Sequence, residues 1–195
     1  MTQMTFTPFA QAEKLSQIFD SETREQWQGT AHILAKLALT PNQRIADIGA
    51  GTGYFSALFA NALPQGHVYA LDTEPNMVAF MRERFTKARY SNVTVAQSGP
   101  INPCLPEHLD VIFMANVYRF IQDRGAFLHA LHQQSEPQAR IVFIDLKQSQ
   151  RLCAQDVEQE VMAAGFLIEE LDMTGCPDHY ILSFRKFTQS APLMS

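Results

Sequence analysis

Apolar positions along the first forty residues recur at helical spacing. Leu15, Ile18 and Phe19 share one face, and Trp27, Ala31, Leu34 and Ala38 follow at steps of four, three and four. Asp20 or Ser21 stands where a cap would open the second of these helices, and Thr40-Pro41-Asn42 closes it. From Arg44 onward short apolar runs alternate with amphipathic stretches. Runs at 44–48, 67–71, 92–96, 110–115 and 140–144 read as strands. Between them, 54–63 puts Phe55, Leu58, Phe59 and Ala62 on one helical face. A helix opened by Pro75 and running to about Tyr90 turns Met77, Phe80, Met81 and Phe85 inward. Residues 98–108 form a proline-broken loop, and 123–134 is helical. Val157, Val161 and Ala164 align in a helix at 156–164 that Gly165 closes. Two last strands, 166–171 and 179–184, flank Gly175-Cys176-Pro177 with no helix between them, so this pair can be antiparallel.

Strand alternating with helix predicts an α/β, doubly wound, mostly parallel sheet covered on both faces. The unbroken apolar run Val111 to Ala115 is what a strand buried on both faces looks like. In such sheets ligands bind beyond the carboxyl ends of the strands. The glycine loop 49–53, Asp72, Asn116 and Asp145 all fall at or just past such ends and are expected to converge.

That loop carries the strongest chemistry. Gly49, Gly51 and Gly53 alternate, which lets the backbone turn sharply and approach a ligand closely. A dinucleotide fingerprint places its last glycine one position later, where this chain has Tyr54. A nucleotide-like ligand without a pyrophosphate fits better. Asp72 follows Gly53 by nineteen positions, where a carboxylate can accept from both ribose hydroxyls. Asp47 ends the first strand and needs donors if buried, from the loop amides or from a ligand ammonium. Glycines that merely make a tight turn are the plain alternative, which Asp47 and Asp72 weaken.

Composition narrows the field. At 195 residues the chain is one domain, and 46% hydrophobic residues argue against disorder. A net charge of −5 disfavours nucleic acid as a partner. Cys104, Cys153 and Cys176 form no C-x-x-C pair, which fits a reducing compartment without disulfides or a metal site. The first residues lack a signal-peptide pattern, and no apolar run approaches a membrane span. These features predict a soluble, cytoplasmic protein.

The segment Asp47-Ile48-Gly49-Ala50-Gly51-Thr52-Gly53 resembles motif I of class I S-adenosylmethionine-dependent methyltransferases. Residues 68–72 resemble their second-strand acidic motif, 109–116 and 140–145 their fourth and fifth strands, and 163–166 the turn into the sixth. Ser21, Arg24, Trp27 and Gln28 resemble the lead-in of small bacterial members. The resemblance covers about residues 40 to 186. It implies a Rossmann-like seven-stranded sheet with an antiparallel last strand, and S-adenosylmethionine as cofactor. Gly49, Ala50, Gly51 and Gly53 would lie against the cofactor, Asp47 would hold its α-amino group, and Asp72 its ribose. Thr73 would lie near the adenosine and Asn116 under the methionyl end. Many members carry an acidic residue after the third strand; this chain has Gln97-Ser98-Gly99, and Ser98 is the substitute candidate. The Pro-Gly-Gly turn before the fifth strand is replaced by residues 136–139.

The sulfonium carries the activation, so a base is required only for a protonated acceptor. The Pro-Pro-aromatic sequence of amino-nitrogen methylating families is absent after Asn116, which lowers that option. Asn116 and Tyr118 are the catalytic candidates. Tyr118 and Arg119 either face the acceptor, or Tyr118 and Phe120 cap the sheet while Arg119 is solvated. His129 and His132 fit a solvated helix face better than a metal site. Asp145 and Lys147 read equally as crevice residues or as a strand-end pair. Cys153 and Cys176 invite a metalloid-methylating reading if they approach over the crevice, and isolated thiols are the alternative. Residues 1–40 would form a helical cap with Arg24 and Trp27 as lining, 41–187 the cofactor-binding domain and 188–195 a flexible tail. The leading reading is methyl transfer to a small-molecule acceptor. A non-catalytic S-adenosylmethionine-binding sensor and a nicotinamide-dependent oxidoreductase are the alternatives.

Overall fold

The computed structural model describes residue 21 and residues 23–187. Among them, strands β1 (Arg44–Ile48), β2 (His67–Asp72), β3 (Val93–Gln97), β4 (Val111–Ala115), β5 (Arg140–Leu146), β6 (Phe166–Asp172) and β7 (His179–Lys186) form one sheet. Its order is β3-β2-β1-β4-β5-β7-β6. Pairings from β3 through β5 are parallel, and β7 runs antiparallel to both β5 and β6. The helices are α1 (Arg24–Gln28), α2 (Thr30–Leu37), α3 (Tyr54–Ala62), α4 (Pro75–Lys87), α5 (Arg124–Gln134) and α6 (Ala154–Ala163). A short turn of 3-10 helix spans Tyr118–Phe120.

Alternation along each strand divides the core into two layers. Ile45, Val111, Phe113, Val142 and Ile144 face α2 and α3, where they meet Ile33, Leu37, Phe55 and Phe59. Ala46, Ile112, Met114, Ile141 and Phe143 face the other way, against Phe127, Leu131, Val157 and Val161 of α5 and α6. Met81 and Phe85 of α4 pack with Ala70. The doubly wound, mostly parallel sheet read from the sequence is the one observed.

Local readings differ in instructive places. The N-terminal helical stretch is broken at Gly29, which adopts φ +69 and ends α1 while opening α2. Spacing counted through that break does not describe one face. Ala31 and Ala38 are exposed, and the buried positions are Arg24, Gln28, Thr30, Ile33 and Leu37. The helix ends at Leu37, ahead of Thr40-Pro41-Asn42, with Ala38 left-handed behind it. Thr23 is the N-cap of α1, and Ser21 contributes its carbonyl to Arg24 N at 3.0 Å. Leu15, Ile18, Phe19 and Asp20, and the tail 188–195, lie outside the described residues. In α3 the buried face is Phe55, Ser56, Phe59 and Ala60, while Ala62 is exposed. In α4 Val78 is buried and Phe80 only half so.

The β6–β7 connection returns to α2. His32 Nε2 lies 2.7 Å from Asp172 Oδ2, over Gly175, where a Cβ would overlap the His32 ring. Lys36 pairs with Glu170. Lys147 Nζ donates to the carbonyl of Pro177 at 3.0 Å and to that of Cys176.

Candidate active site

The glycine loop joins the carboxyl end of β1 to α3. Gly49, Gly51 and Gly53 all have positive φ, at +70, +59 and +81. A side chain would be strained at each. Two of them also meet close neighbours: a Cβ on Gly49 would stand 2.3 Å from Val117 Cγ2, and one on Gly53 2.8 Å from Phe85 Cζ. Gly53 is therefore a packing glycine against α4.

The loop amides are largely engaged inside the fold. Gly49 N and Ala50 N both donate to Leu71 O, at 2.8 and 2.9 Å, and Gly53 N donates to Ala50 O at 2.9 Å. Gly51 N donates to Asp72 Oδ2 at 2.7 Å. Arg84 Nη1 secures the loop from α4 by donating to Thr52 O at 2.9 Å. The Thr52 hydroxyl is buried without a hydrogen-bond partner among the described residues.

Asp47 is 2% exposed and accepts from Ser56 Oγ at 2.6 Å. The expectation that loop amides would serve it is corrected. Those amides bond Leu71 and Asp72, and a hydroxyl from the first turn of α3 takes their place. Burial pushes the Asp47 carboxyl up to about 7, against the pull of the Ser56 hydroxyl and the Arg24 charge.

Asp72 is buried at the end of β2, and Glu74 N donates to its Oδ1 at 2.9 Å. Burial raises its pKa, and the backbone donors of Glu74, Gly51 and Thr73 oppose that shift. Ser98 is buried beside it, with its N–H on Asp72 O at 2.9 Å. The Thr73 side chain is exposed.

Helix α1 reaches this end of the sheet. The Arg24 guanidinium stands 4.0 Å over the Tyr54 ring and bonds Gln28 Oε1. Gln28 is fully buried, and its Nε2 has no hydrogen-bond partner among the described residues. Their four-residue spacing is a sequence signal for a shared helix face, which the reading through Trp27 and Ala31 missed.

Past β4, Asn116 adopts φ +63. Its Oδ1 accepts from Arg119 Nη1 at 3.0 Å and lies 2.9 Å from His179 Nε2. Arg119 is salt-bridged to the buried Asp145. The strand-end pairing of Asp145 with Lys147, and a solvated Arg119, are therefore both replaced by this bridge. Lys147 is spent on the β6–β7 connection. His179 is fully buried at the start of β7, and burial lowers its pKa. It escaped the sequence reading; the one hint is a polar residue opening an otherwise apolar strand.

Tyr118 is not a crevice residue. It is 1% exposed, packs against Phe143 and Phe127, and donates its hydroxyl to Glu160 Oε2 of α6 at 2.7 Å. The 3-10 turn rotates it into the layer between sheet and α6. His129 is exposed, and His132 packs edge-on against Phe166. Cys176 is buried against Gly29, and Cys153 caps α6 through Asp156. A groove between α5 and α6 holds Arg124 and Glu160, which are paired with each other, and lies on the face opposite α1 and α3.

Comparison with known proteins decides the family. A family model described as a methyltransferase domain matches residues 39–190. The chain belongs to the methyltransferase-domain family. The methyltransferase domain is 38% identical over 69 residues to a protein-L-isoaspartate O-methyltransferase of Aeropyrum pernix, covering 35% of this chain and 26% of that one. It is 29% identical over 120 residues to a trans-aconitate 2-methyltransferase of Rhodopseudomonas palustris, covering 62% and 43%. The chain thus spans less than half the length of these relatives. In fold it matches the crystal structure of an S-adenosylmethionine-dependent methyltransferase from Aquifex aeolicus, with a TM-score of 0.81, 23% identity, and 94% and 100% of the two chains covered.

Proposed function

We propose that this protein binds S-adenosylmethionine and transfers its methyl group to a small-molecule acceptor. The observation that carries the reading is the placement of two buried carboxylates, Asp47 and Asp72, on either side of a glycine loop at the carboxyl ends of β1 and β2. Asp72 is oriented by backbone donors, which leaves lone pairs for ribose hydroxyls. Asp47 suits an ammonium group, since a buried carboxyl gains most from a cationic partner. The Thr52 hydroxyl and Gln28 Nε2, without partners among the described residues, are further polar groups that a bound cofactor can satisfy. Tyr54 in place of a third spaced glycine leaves no cradle for a pyrophosphate, which counts against a nicotinamide cofactor.

The cofactor supplies the activated methyl group. The chain's own residues position it: Ala50, Gly51 and Thr73 at the loop and the end of β2, Ser98 beside Asp72, Asn116 on the acceptor side. Helix α1, with Arg24 and Trp27, covers this end. The acidic net charge supports a small acceptor over nucleic acid. A reducing, cytoplasmic setting is in keeping with three free cysteines, and among the described residues no helix is long and apolar enough to cross a membrane.

Calorimetric titration with S-adenosylmethionine, S-adenosylhomocysteine and NAD tests the cofactor. Saturable binding of the adenosyl ligands alone is expected; binding of NAD alone overturns the reading. Transfer of radiolabelled methyl to a small-molecule fraction separates an enzyme from a sensor.

A further inference from the structure

The Asn116 backbone is pinned, with φ +63 and its N–H on Ile144 O at 2.8 Å. Asparagine tolerates this conformation better than most residues. What remains to be set is which way the carboxamide faces. Two side chains set it. Arg119 Nη1 and His179 Nε2 approach the same atom, Asn116 Oδ1, at 3.0 and 2.9 Å. A guanidinium has donors only, so the atom it meets is the amide oxygen. The other ring nitrogen, Nδ1, lies 3.3 Å from Trp27 O, so a neutral His179 donates to only one of the two oxygens; the shorter contact, to the oxygen that Arg119 fixes, places the hydrogen on Nε2. The reverse orientation would press the Asn116 NH2 against the guanidinium. Arg119 is held in place by Asp145. His179 has no exposed surface, and its ring lies beside Trp27, centroids 5.7 Å apart.

The oxygen is thus used twice inside the protein. The NH2 makes no hydrogen bond among the described residues, and Asn116 is only half-buried at the carboxyl end of β4. We propose that Asn116 offers this NH2 to the methyl acceptor, that His179 and Arg119 are positioning residues that hold it so, and that the acceptor atom is an anionic oxygen. This rests on the transfer reading above and adds the class of acceptor. An amine would bring N–H donors to a donor and find no carboxamide oxygen free.

The surrounding acid–base groups agree. Asp145 is engaged by Arg119 and accepts from Leu146 N at 2.9 Å. Lys147 is bound to carbonyls, and the Tyr118 hydroxyl turns to Glu160. An acceptor that arrives already ionised needs no base. Carboxylates and phenolates both meet that description.

Nitrogen NMR of isotope-labelled histidine decides the geometry without any ligand. The His179 signal is assigned by its loss in His179→Gln. At neutral pH, Nε2 is expected to be protonated; an unprotonated Nε2 would turn the Asn116 NH2 inward and overturn the proposal. Transfer assays at saturating donor test the roles. His179→Gln keeps an N–H donor and should stay within about tenfold of wild type, whereas His179→Phe should lose on the order of 100-fold. Equal losses would mark His179 as packing alone. Asn116→Asp, which keeps the inner oxygen and replaces the NH2, should also lose on the order of 100-fold; full activity would overturn the assignment. Labelled product from a small-molecule extract identifies the oxygen. Methanol released by mild alkali shows a carboxyl ester, an alkali-stable neutral product an aryl ether, and label on an amine overturns the class. Donor binding without any transfer would overturn the transfer reading, while the histidine spectrum still decides the Asn116 orientation.

Discussion

Ser56 Oγ donates to Asp47 Oδ2 across 2.6 Å, joining the first turn of α3 to the end of β1 beneath the glycine loop. The carboxyl it serves is raised by burial to about 7. A cationic ligand group favours the ionised form, so adenosyl-ligand affinity should climb through the unit of pH on either side of about 7. Asp47→Asn should flatten that profile in calorimetry. The same raised pKa means that Asp47's contribution to folding is present in acid and lost as pH rises through about 7. Thermal melts of Asp47→Asn should therefore lack the part of the decline that runs from the ordinary value of 3.8 up to about 7. Ser56→Ala removes a donor to a buried acceptor and should cost about 1–3 kcal/mol of stability.

Asp72 holds Gly51 N and Glu74 N in place while facing the expected ribose site. Asp72→Ala removes charge-assisted hydrogen bonds worth about 1.5–3 kcal/mol. Affinity for S-adenosylhomocysteine should fall about 10- to 100-fold in a titration. Unchanged affinity would remove Asp72 from the site.

Gly49→Ala meets two separate obstacles, φ +70 and the Val117 methyl at 2.3 Å. The backbone contributes about 1–2 kcal/mol and the overlap about 1–3 kcal/mol. Denaturant unfolding should show their sum. Adding Val117→Ala should recover only the second part, a coupling that a double-mutant cycle measures.

Tyr118→Phe leaves Glu160 paired with Arg124 and removes one hydroxyl bond, so it should cost about 1 kcal/mol. Adenosyl-ligand affinity and transfer should be unchanged. A selective loss of transfer would return Tyr118 to the acceptor site.

The convergence of Asp47, the glycine loop and Asp72 at neighbouring strand ends was legible because these residues are close in the chain. Asp47 to Gly53 is one strand end and one turn, and Asp72 ends the next strand. Neighbouring strands carried the geometry directly. Ser56 was overlooked because a hydroxyl on the next helix competes with loop amides that look available in a sequence. In the fold those amides have other partners. Tyr118 depended on how a single 3-10 turn rotates, which periodicity does not encode. His179 depended on β7 turning back between β5 and β6. Nothing near it in the chain announces Asn116 as its partner.

The placement of β7 has a consequence for the order in which the protein can be assembled. His179 reaches Trp27 O, 152 residues earlier in the chain, and Asn116, 63 residues earlier. Loop closure over such spans is slow compared with local pairing. The cofactor half, from β1 to β3, can form while the rest of the chain is still being synthesised. Of the two contacts on Asn116 Oδ1, the one from Arg119 is available as soon as β5 is in place, and the one from His179 forms only when the last strand has entered the sheet.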